Sequence, residues 1–235
     1  MKYGLIGEKL GHSFSKEIHE EMNNYKYDLI ELDKNELDAF LKEKNFKGIN
    51  VTIPYKTTVI PYLDFLDENA KKIGAVNTIV NKNNLLKGYN TDYDGFLYTL
   101  EHHKVNIEGK KVIVLGNGGA SRAVIAVLKD LKAGEIITVG RTLRDDSISF
   151  EECYENHTDS EIIINTTPVG MYPEADASPL ELKTFNSCSH VIDLIYNPSQ
   201  TKLLKEAEEK GIYGINGLEM LIAQAKVAAK YFLDV

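Results

Sequence analysis

The sequence contains no tryptophan, only two cysteines and no long apolar run. Cys153 and Cys188 do not form a C-x-x-C pair, so we expect neither a metal site nor a disulfide framework. Free thiols are typical of a reducing compartment. The N-terminus contains the charged Glu8, unlike a signal peptide, and no stretch approaches the length of a membrane span. These absences predict a cytoplasmic protein without a membrane partner.

Clusters of basic residues are absent as well. Lys and Arg number 27 against 35 Asp and Glu, which gives a net charge of −8. A nucleic-acid-binding surface needs clustered cations to neutralise phosphates, so we expect no nucleic-acid partner. Any anionic ligand has to be held by local groups rather than by the overall field. With 43% hydrophobic and 26% charged residues, the chain has the composition of a globular protein.

Strands and helices alternate up to about residue 90. Asp33 and Glu36 have the spacing of a capping box in front of a helix. The pattern predicts strands at 3–7, 27–31 and 48–53, helices at 16–23 and 57–66, and a hairpin formed by 78–80 and 85–89. This part is expected to be an α/β unit with a mixed sheet.

From about residue 92 the pattern is that of a Rossmann-like, doubly wound nucleotide-binding domain with a parallel sheet. Helices are predicted at 94–103 and from the glycine-rich turn to about 131, and apolar strands at 111–115, 135–139, 161–164 and 190–194. A last helix at 218–233 has an apolar stripe that begins at Leu218, and we expect it to pack back on the first domain. The predicted domains are 1–91 with 217–235, and 92–216.

A glycine-rich turn follows the apolar strand at 111–115. It reads Gly-Asn-Gly-Gly-Ala-Ser at 116–121, so Ser121 stands where the usual dinucleotide fingerprint has its third glycine. Such a turn between a strand and a helix brings backbone N–H groups and the helix dipole to a pyrophosphate. A purely structural turn is the alternative, but this context favours cofactor binding.

The next predicted strand ends in Gly-Arg-Thr-Leu-Arg at 140–144. NAD-binding domains commonly place an acid here for the ribose 2′-hydroxyl, and this segment has none. Arg141 and Arg144 are suited to a 2′-phosphate, which favours NADP over NAD. Solvated arginines paired with Asp145 and Asp146 are the alternative.

Polar residues in the first half fall at the ends of predicted strands and in loops, where catalytic groups concentrate. Lys56 follows the strand that carries Asn50 and Thr52, and Asp92 lies near the domain boundary. A lysine in a dry cleft can donate a proton while an aspartate balances its charge. A surface lysine and a turn aspartate are the ordinary alternatives.

These motifs resemble the set found in shikimate dehydrogenases, in the same order over the whole chain. They are Ser-x-Ser at 13–15, Asn-Val-Thr-x-Pro-x-Lys at 50–56, Gly-Ala-x-Asn-Thr at 74–78, Gly-x-Asn-Thr-Asp at 88–92, the glycine-rich turn, Arg-Thr at 141–142, Asn-x-Thr-Pro-x-Gly-Met at 165–171, Asp-x-x-Tyr-x-Pro at 193–198, and Asn-Gly-Leu-x-Met-Leu at 216–221 with Gln-Ala at 224–225.

The resemblance implies a role for each matching residue. Lys56 and Asp92 are the implied catalytic pair. Substrate binding is implied for Ser13, Ser15, Asn50, Thr52, Asn77, Tyr196 and Gln224. NADP binding is implied for Gly116, Gly118, Gly119, Ala120, Arg141, Thr142, Arg144, Asn165, Thr167, Met171 and Gly217. No metal is implied.

The implied reaction is reversible NADPH-dependent reduction of 3-dehydroshikimate to shikimate, a step towards chorismate and the aromatic amino acids. Two departures bear on the cofactor: Gly140 and Asp145 stand where family members commonly have Asn and a second Arg. An NAD-using quinate/shikimate dehydrogenase and a catalytically silent shikimate-binding regulator remain alternatives. The presence of both Lys56 and Asp92 argues against the silent regulator, and the family includes both monomers and homodimers.

Overall fold

The computed structural model describes residues 2–11, 13–143 and 147–233. In chain order its elements are β1 (Tyr3–Gly7), α1 (Ser15–Met22), β2 (Tyr27–Glu31), α2 (Leu37–Glu43), β3 (Gly48–Val51), β4 (Phe65–Leu66), α3 (Glu68–Ile73), β5 (Thr78–Lys82), β6 (Leu85–Tyr89), α4 (Thr91–His102), β7 (Lys111–Leu115), α5 (Gly119–Asp130), β8 (Glu135–Val139), α6 (Phe150–Asn156), β9 (Ile162–Asn165), β10 (His190–Asp193), α7 (Lys202–Glu209), β11 (Tyr213–Ile215) and α8 (Leu218–Leu233).

The chain divides into two compact units. The first comprises Met1–Gly95 and Leu221–Val235, and the second comprises Phe96–Met220. The sequence places the boundaries at 91/92 and 216/217, in front of two helices. In the structure the boundaries fall inside α4 and α8. The start of α4, up to Gly95, belongs to the first unit, and the start of α8, up to Met220, belongs to the second unit. None of the described helices has both the length and the apolar character needed to cross a bilayer.

The first unit contains a six-stranded mixed sheet in the order β2-β1-β3-β5-β6-β4. β1 is parallel to β2 and β3, whereas β5 is antiparallel to β3 and β6. The Glu36 carboxylate accepts from the Asp33 N–H at 2.8 Å, which is one of the two bonds of the predicted capping box. The other bond is not formed among the described residues: Glu36 itself is the N-cap of α2, and no side chain caps that helix. The predicted mixed α/β sheet is therefore confirmed.

The predicted helix at 57–66 is wrong. The structure has a short 3₁₀ turn at Ile60–Tyr62 followed by β4. Pro61 lacks the N–H that an α-helix interior needs, and the preceding Thr57–Ile60 stretch is β-branched throughout, which disfavours a helix. The Asp64 N–H instead donates to the Leu86 carbonyl at 2.9 Å, so the segment joins the sheet.

The last helix packs on the first unit, as predicted. Ala228 and Phe232 share a buried cluster with Tyr3, Leu5 and Tyr27. The close packing of α8 on β3 depends on Gly48, because a Cβ at that position would lie 2.2 Å from the Phe232 ring.

The predicted apolar stripe of α8 is wrong at its start. Leu218 is 38% exposed, whereas Met220 and Ala223 are buried. The helix begins in the second unit and ends in the first, so its buried face changes along its length.

The second unit contains a five-stranded sheet in the order β11-β10-β9-β7-β8, parallel at every pairing. The residues of β7 from Val112 to Leu115 and those of β9 are buried, as expected for a parallel sheet covered on both faces. The predicted doubly wound domain is confirmed. Sequence reasoning missed β11, α6 and α7, which are short elements, although Leu203, Leu204 and Ala207 of α7 are buried at helical spacing.

His19 is a buried titratable group that the first unit keeps neutral. Its ring stacks on Tyr27 at 4.2 Å between centroids, its Nδ1 contacts the Tyr25 hydroxyl at 2.7 Å, and its Nε2 has no hydrogen-bond partner among the described residues. Burial lowers the pKa of His19 to about 4. Between the ordinary pKa of histidine and this value, the unfolded chain binds a proton that the folded chain does not, so stability falls as the pH falls.

We expect wild type to lose about 1.5 kcal/mol of unfolding free energy relative to His19→Phe when the pH drops from about 6.5 to 5. Phe keeps the ring stacking and removes the titration. Urea unfolding of both proteins at each pH measures this difference, in which the titration of all other groups cancels. A difference that does not change with pH contradicts the assignment.

Candidate active site

Polar side chains of the first unit converge at one edge of its sheet. The parallel register pairs Ile6 with Val51, which brings together the carboxyl ends of β1 and β3. The antiparallel registers pair Asn50 with Thr78 and Thr78 with Tyr89, so the start of β5 and the end of β6 lie at the same edge. Loops at the carboxyl ends of strands are where α/β proteins bind ligands.

Lys56 and Asp92 form an ion pair at this edge. The Lys56 Nζ lies 2.6 Å from the Asp92 Oδ2, and only 16% and 10% of the two side chains are exposed. Asp92 lies in the first turn of α4, where a negative charge is favourable, and its N–H donates to the Asn90 Oδ1 at 3.1 Å. This cap explains why α4 begins before the predicted residue 94. The pair presents an ammonium, fixed by a carboxylate, in a largely desolvated setting.

Asn77 fixes the other oxygen of the same carboxylate. Its Nδ2 donates to the Asp92 Oδ1 at 2.9 Å and to the Thr91 Oγ1 at 3.1 Å, and its Oδ1 accepts from the Thr91 N–H at 2.7 Å. Both Asp92 oxygens are therefore held, one by an ammonium and one by an amide. Such a network holds the Asp92 carboxylate in one orientation.

The network extends to two further predicted residues. The Asn50 Nδ2 donates to the Thr78 Oγ1 at 2.9 Å, and its Oδ1 accepts from the Tyr27 hydroxyl at 2.6 Å. On the other side, the Thr91 hydroxyl donates to the Gln224 Oε1 at 3.3 Å. Sequence reasoning assigned no role to Thr91, Thr78 or Tyr27. The position of Thr91 between Asn90 and Asp92 was the available signal for that residue.

The remaining predicted substrate residues of this unit lie beyond the carboxyl ends of β1 and β3. The Thr52 N–H donates to the Ile6 carbonyl at 2.9 Å. The Ser13 Oγ accepts from the Ser15 N–H at 3.2 Å, and Ser15 is buried at the start of α1. Tyr196 belongs to the second unit, in the loop after β10, and is half-buried.

The glycine-rich turn of the second unit leaves room for a ligand. Gly116 has φ +105° and passes Thr166 so closely that a Cβ would lie 2.7 Å from its Oγ1. A Cβ at Gly118, by contrast, would meet no described atom within 4 Å. Gly118 is the N-cap of α5, and in the described part of the chain no side chain caps that helix. The turn therefore offers N–H groups and open space, which suits a pyrophosphate.

Other predicted cofactor residues flank this turn. Gly119 and Ala120 form the first turn of α5. Arg141 and Thr142 follow β8 and are exposed, and Arg144 lies outside the described residues. No acid occurs from Gly140 to Arg144, so the segment lacks the usual ribose-binding carboxylate.

Asn165 and Thr167 shape the loop that follows β9. Asn165 is completely buried; its Nδ2 donates to the Asp193 Oδ1 at 2.9 Å, and its Oδ1 accepts from the Thr167 hydroxyl at 2.7 Å. Burial raises the pKa of Asp193 to about 6. Met171 is 43% exposed and is therefore accessible to a ligand, as is the exposed Pro168.

Gly217 has a structural reason to be glycine. A Cβ at this position would lie 2.0 Å from the Leu194 carbonyl oxygen, and its N–H donates to the Ile195 carbonyl at 3.0 Å. The close passage of two backbones is sufficient to explain this residue, which the sequence motif alone assigns to the cofactor.

Comparisons with known proteins agree with these features. Residues 5–79 match the shikimate dehydrogenase substrate binding domain. The chain is 44% identical over 238 residues to shikimate dehydrogenase (NADP(+)) of Clostridium beijerinckii, covering 95% of this chain and 88% of that protein. Shikimate dehydrogenase 1 from Peptoclostridium difficile superposes with a TM-score of 0.92 at 37% identity, covering 100% and 93% of the two chains.

A structure with ligands is also similar. Shikimate 5-dehydrogenase from Thermus thermophilus, in complex with NADP(H) and shikimate, has a TM-score of 0.87 at 30% identity, and the match covers 100% of this chain and 94% of that one. Identity above 40% across nearly the whole chain, together with the ordered motifs and the fold, shows that this chain belongs to the shikimate dehydrogenase family.

Proposed function

We propose that this protein catalyses the reversible NADPH-dependent reduction of 3-dehydroshikimate to shikimate. The observation that carries the proposal is the desolvated Lys56–Asp92 pair, with Nζ and Oδ2 2.6 Å apart and the second carboxylate oxygen held by Asn77. The similarity of this chain to relatives named shikimate dehydrogenase also supports the proposal.

The second unit is the proposed NADP-binding domain. Among the described residues, nothing fills the space beside Gly118 and no side chain caps the start of α5, which suits the pyrophosphate. The missing acid after β8 and the presence of Arg141 favour a 2′-phosphate over a free 2′-hydroxyl. When bound, NADPH supplies the hydride.

The first unit is the proposed substrate domain. Lys56 donates a proton to the ketone oxygen as that oxygen becomes a hydroxyl, and it accepts the proton in the reverse direction. Asp92 aims the ammonium and balances its charge, while Asn77 sets the carboxylate plane. Ser13 and Ser15 are proposed to bind the substrate carboxylate, and Thr52, Asn50, Gln224 and Tyr196 to complete the pocket.

A spectrophotometric assay with purified protein tests this proposal. We expect NADPH to form from NADP and shikimate, with much lower rates when NAD replaces NADP or quinate replaces shikimate. Preference for NAD and quinate would identify the protein as a quinate dehydrogenase instead. Shikimate binding by calorimetry without turnover would indicate a silent regulator, and either result overturns the proposal.

A further inference from the structure

Two histidines and a glutamate of the second unit face one another outside the candidate active site. His102 and His103 lie at the end of α4, and Glu219 lies in the first turn of α8. The His102 Nε2 is 3.3 Å from the Glu219 Oε1, and the His103 Nε2 contacts the Glu219 Oε2. One ligand atom from each residue falls within 4.8 Å of the others. We propose that this cluster is a Zn²⁺-class metal site.

The chemistry of the donors selects the class of cation. Two imidazoles and a carboxylate form a known zinc ligand set that leaves a fourth position for water. Imidazole suits Zn²⁺, Cu²⁺ and Ni²⁺, whereas Mg²⁺ and Ca²⁺ prefer oxygen donors. The side chains are 51%, 19% and 34% exposed for His102, His103 and Glu219, so a hydrated ion has access.

Tyr213 on β11 provides the outer support of this site. Its hydroxyl lies 3.2 Å from the Nδ1 of His103, the ring nitrogen that does not face Glu219. A partner on the second nitrogen fixes the tautomer and orientation of a ligating histidine. The chain passes from one unit to the other within α4 and within α8. A bound cation would therefore cross-link these two helices.

Calorimetric titration of the chelator-treated full chain with ZnCl₂ tests the site. We expect one Zn²⁺ per chain in wild type and no binding of Mg²⁺. His103→Ala and Glu219→Gln should weaken Zn²⁺ binding by more than about tenfold, and Tyr213→Phe by about tenfold. His190→Ala is the matched control, because His190 also packs on the Tyr213 ring but lies outside the ligand cluster.

Two results overturn this site. One is the absence of Zn²⁺ binding by wild type, and the other is equal affinity in wild type and in folded cluster variants, which would place the ion elsewhere. Circular dichroism of each variant before titration establishes that it is folded.

A different observation concerns Asn117 in the glycine-rich turn. Its Nδ2 donates to the Thr142 carbonyl at 2.8 Å, and a Cβ on the buried Gly140 would lie 2.9 Å from that same nitrogen. The Asn117 amide therefore lies in the space that a side chain at position 140 would take. We infer that Asn117 is a positioning residue for the 2′-phosphate site, an inference that rests on the proposed function.

The inference follows from what this hydrogen bond holds. Thr142 comes directly after Arg141, whose exposed guanidinium is the proposed partner of the 2′-phosphate. The hydrogen bond from Asn117 joins the Thr142 carbonyl to the glycine-rich turn. It thereby fixes the position of the segment that carries Arg141. Loss of the bond should loosen this segment and weaken selection of the phosphate, while the pyrophosphate cradle stays intact.

Affinities of Asn117→Ala for NADP and NAD, measured by calorimetry, test this role. One hydrogen bond corresponds to about a fivefold change in affinity, so NADP binding should weaken about fivefold and NAD binding should not change. Adding Gly140→Asn to that variant returns an amide to the same space and should restore the NADP preference. Equal losses for both cofactors overturn the inference, whereas a wild type that binds neither dinucleotide refutes the proposed function itself.

Discussion

Lys56→Met is expected to lower the turnover of shikimate about 1,000-fold, because removal of a positioned general acid–base group costs between about 100-fold and 10,000-fold. Met retains most of the apolar stem of Lys and removes only the ammonium that lies 2.6 Å from Asp92. Shikimate affinity, measured by calorimetry, should fall far less than turnover. Steady-state rates in both directions provide the measurement.

Lys71→Met is the matched control for this experiment. Lys71 is an exposed lysine in α3 of the same unit, and its substitution should leave turnover at the wild-type level. Wild-type turnover in Lys56→Met would show that the proton comes from another group. An equally large loss of shikimate affinity in Lys56→Met would instead identify Lys56 as a substrate-binding residue.

Gly118→Val is expected to weaken NADP binding about 100-fold while lowering the stability of the ligand-free protein by only about 1 kcal/mol, the cost of placing Val at the N-cap of α5. A Cβ at Gly118 meets no described atom within 4 Å, and its φ of −91° and ψ of −165° are allowed for any residue. The new side chain would occupy part of the proposed pyrophosphate-binding site. Loss of two hydrogen bonds to a charged group amounts to about 100-fold in affinity.

Thermal melts with and without NADP separate the two effects of this substitution. We expect the melting temperature of ligand-free Gly118→Val to fall by only about 2 to 4 °C and its NADP-induced increase to be lost. Gly118→Ala should give an intermediate affinity, since it fills less of the space. If Gly118→Val binds NADP as wild type does, the pyrophosphate does not lie over this turn.

Uniform burial made one strand of the second unit easy to locate from the sequence. The apolar strand at 111–115 reads as a parallel strand because both faces of β7 are covered. The segment at 57–66 was predicted incorrectly because its apolar residues suggest a helix. Pro61 disfavours that helix, and the hydrogen bond from the Asp64 N–H to the Leu86 carbonyl places the segment beside the sheet. That pairing depends on a partner 22 residues away, which local propensity does not contain.

The candidate site was predictable as a set of residues but not as a network. The sequence identifies Lys56 and Asp92, yet their contact arises from strand pairings that bring together the starts and ends of β3, β5 and β6. The role of Thr91 depends on the side-chain directions of Asn77 and Gln224, which no spacing rule encodes. Gly217 shows the converse case, because a backbone passage explains a residue that the motif assigns to the ligand.

The Thr91–Gln224 hydrogen bond and the packing of Phe232 on Tyr3 have a consequence for synthesis on the ribosome. The second unit is one continuous stretch of chain and can fold as soon as it has been released. Within this chain the first unit begins earlier, but its buried cluster of Tyr3, Leu5 and Tyr27 is completed only when Ala228 and Phe232 of α8 have been translated. Of the two units, the one that begins first is therefore the one whose core is completed last.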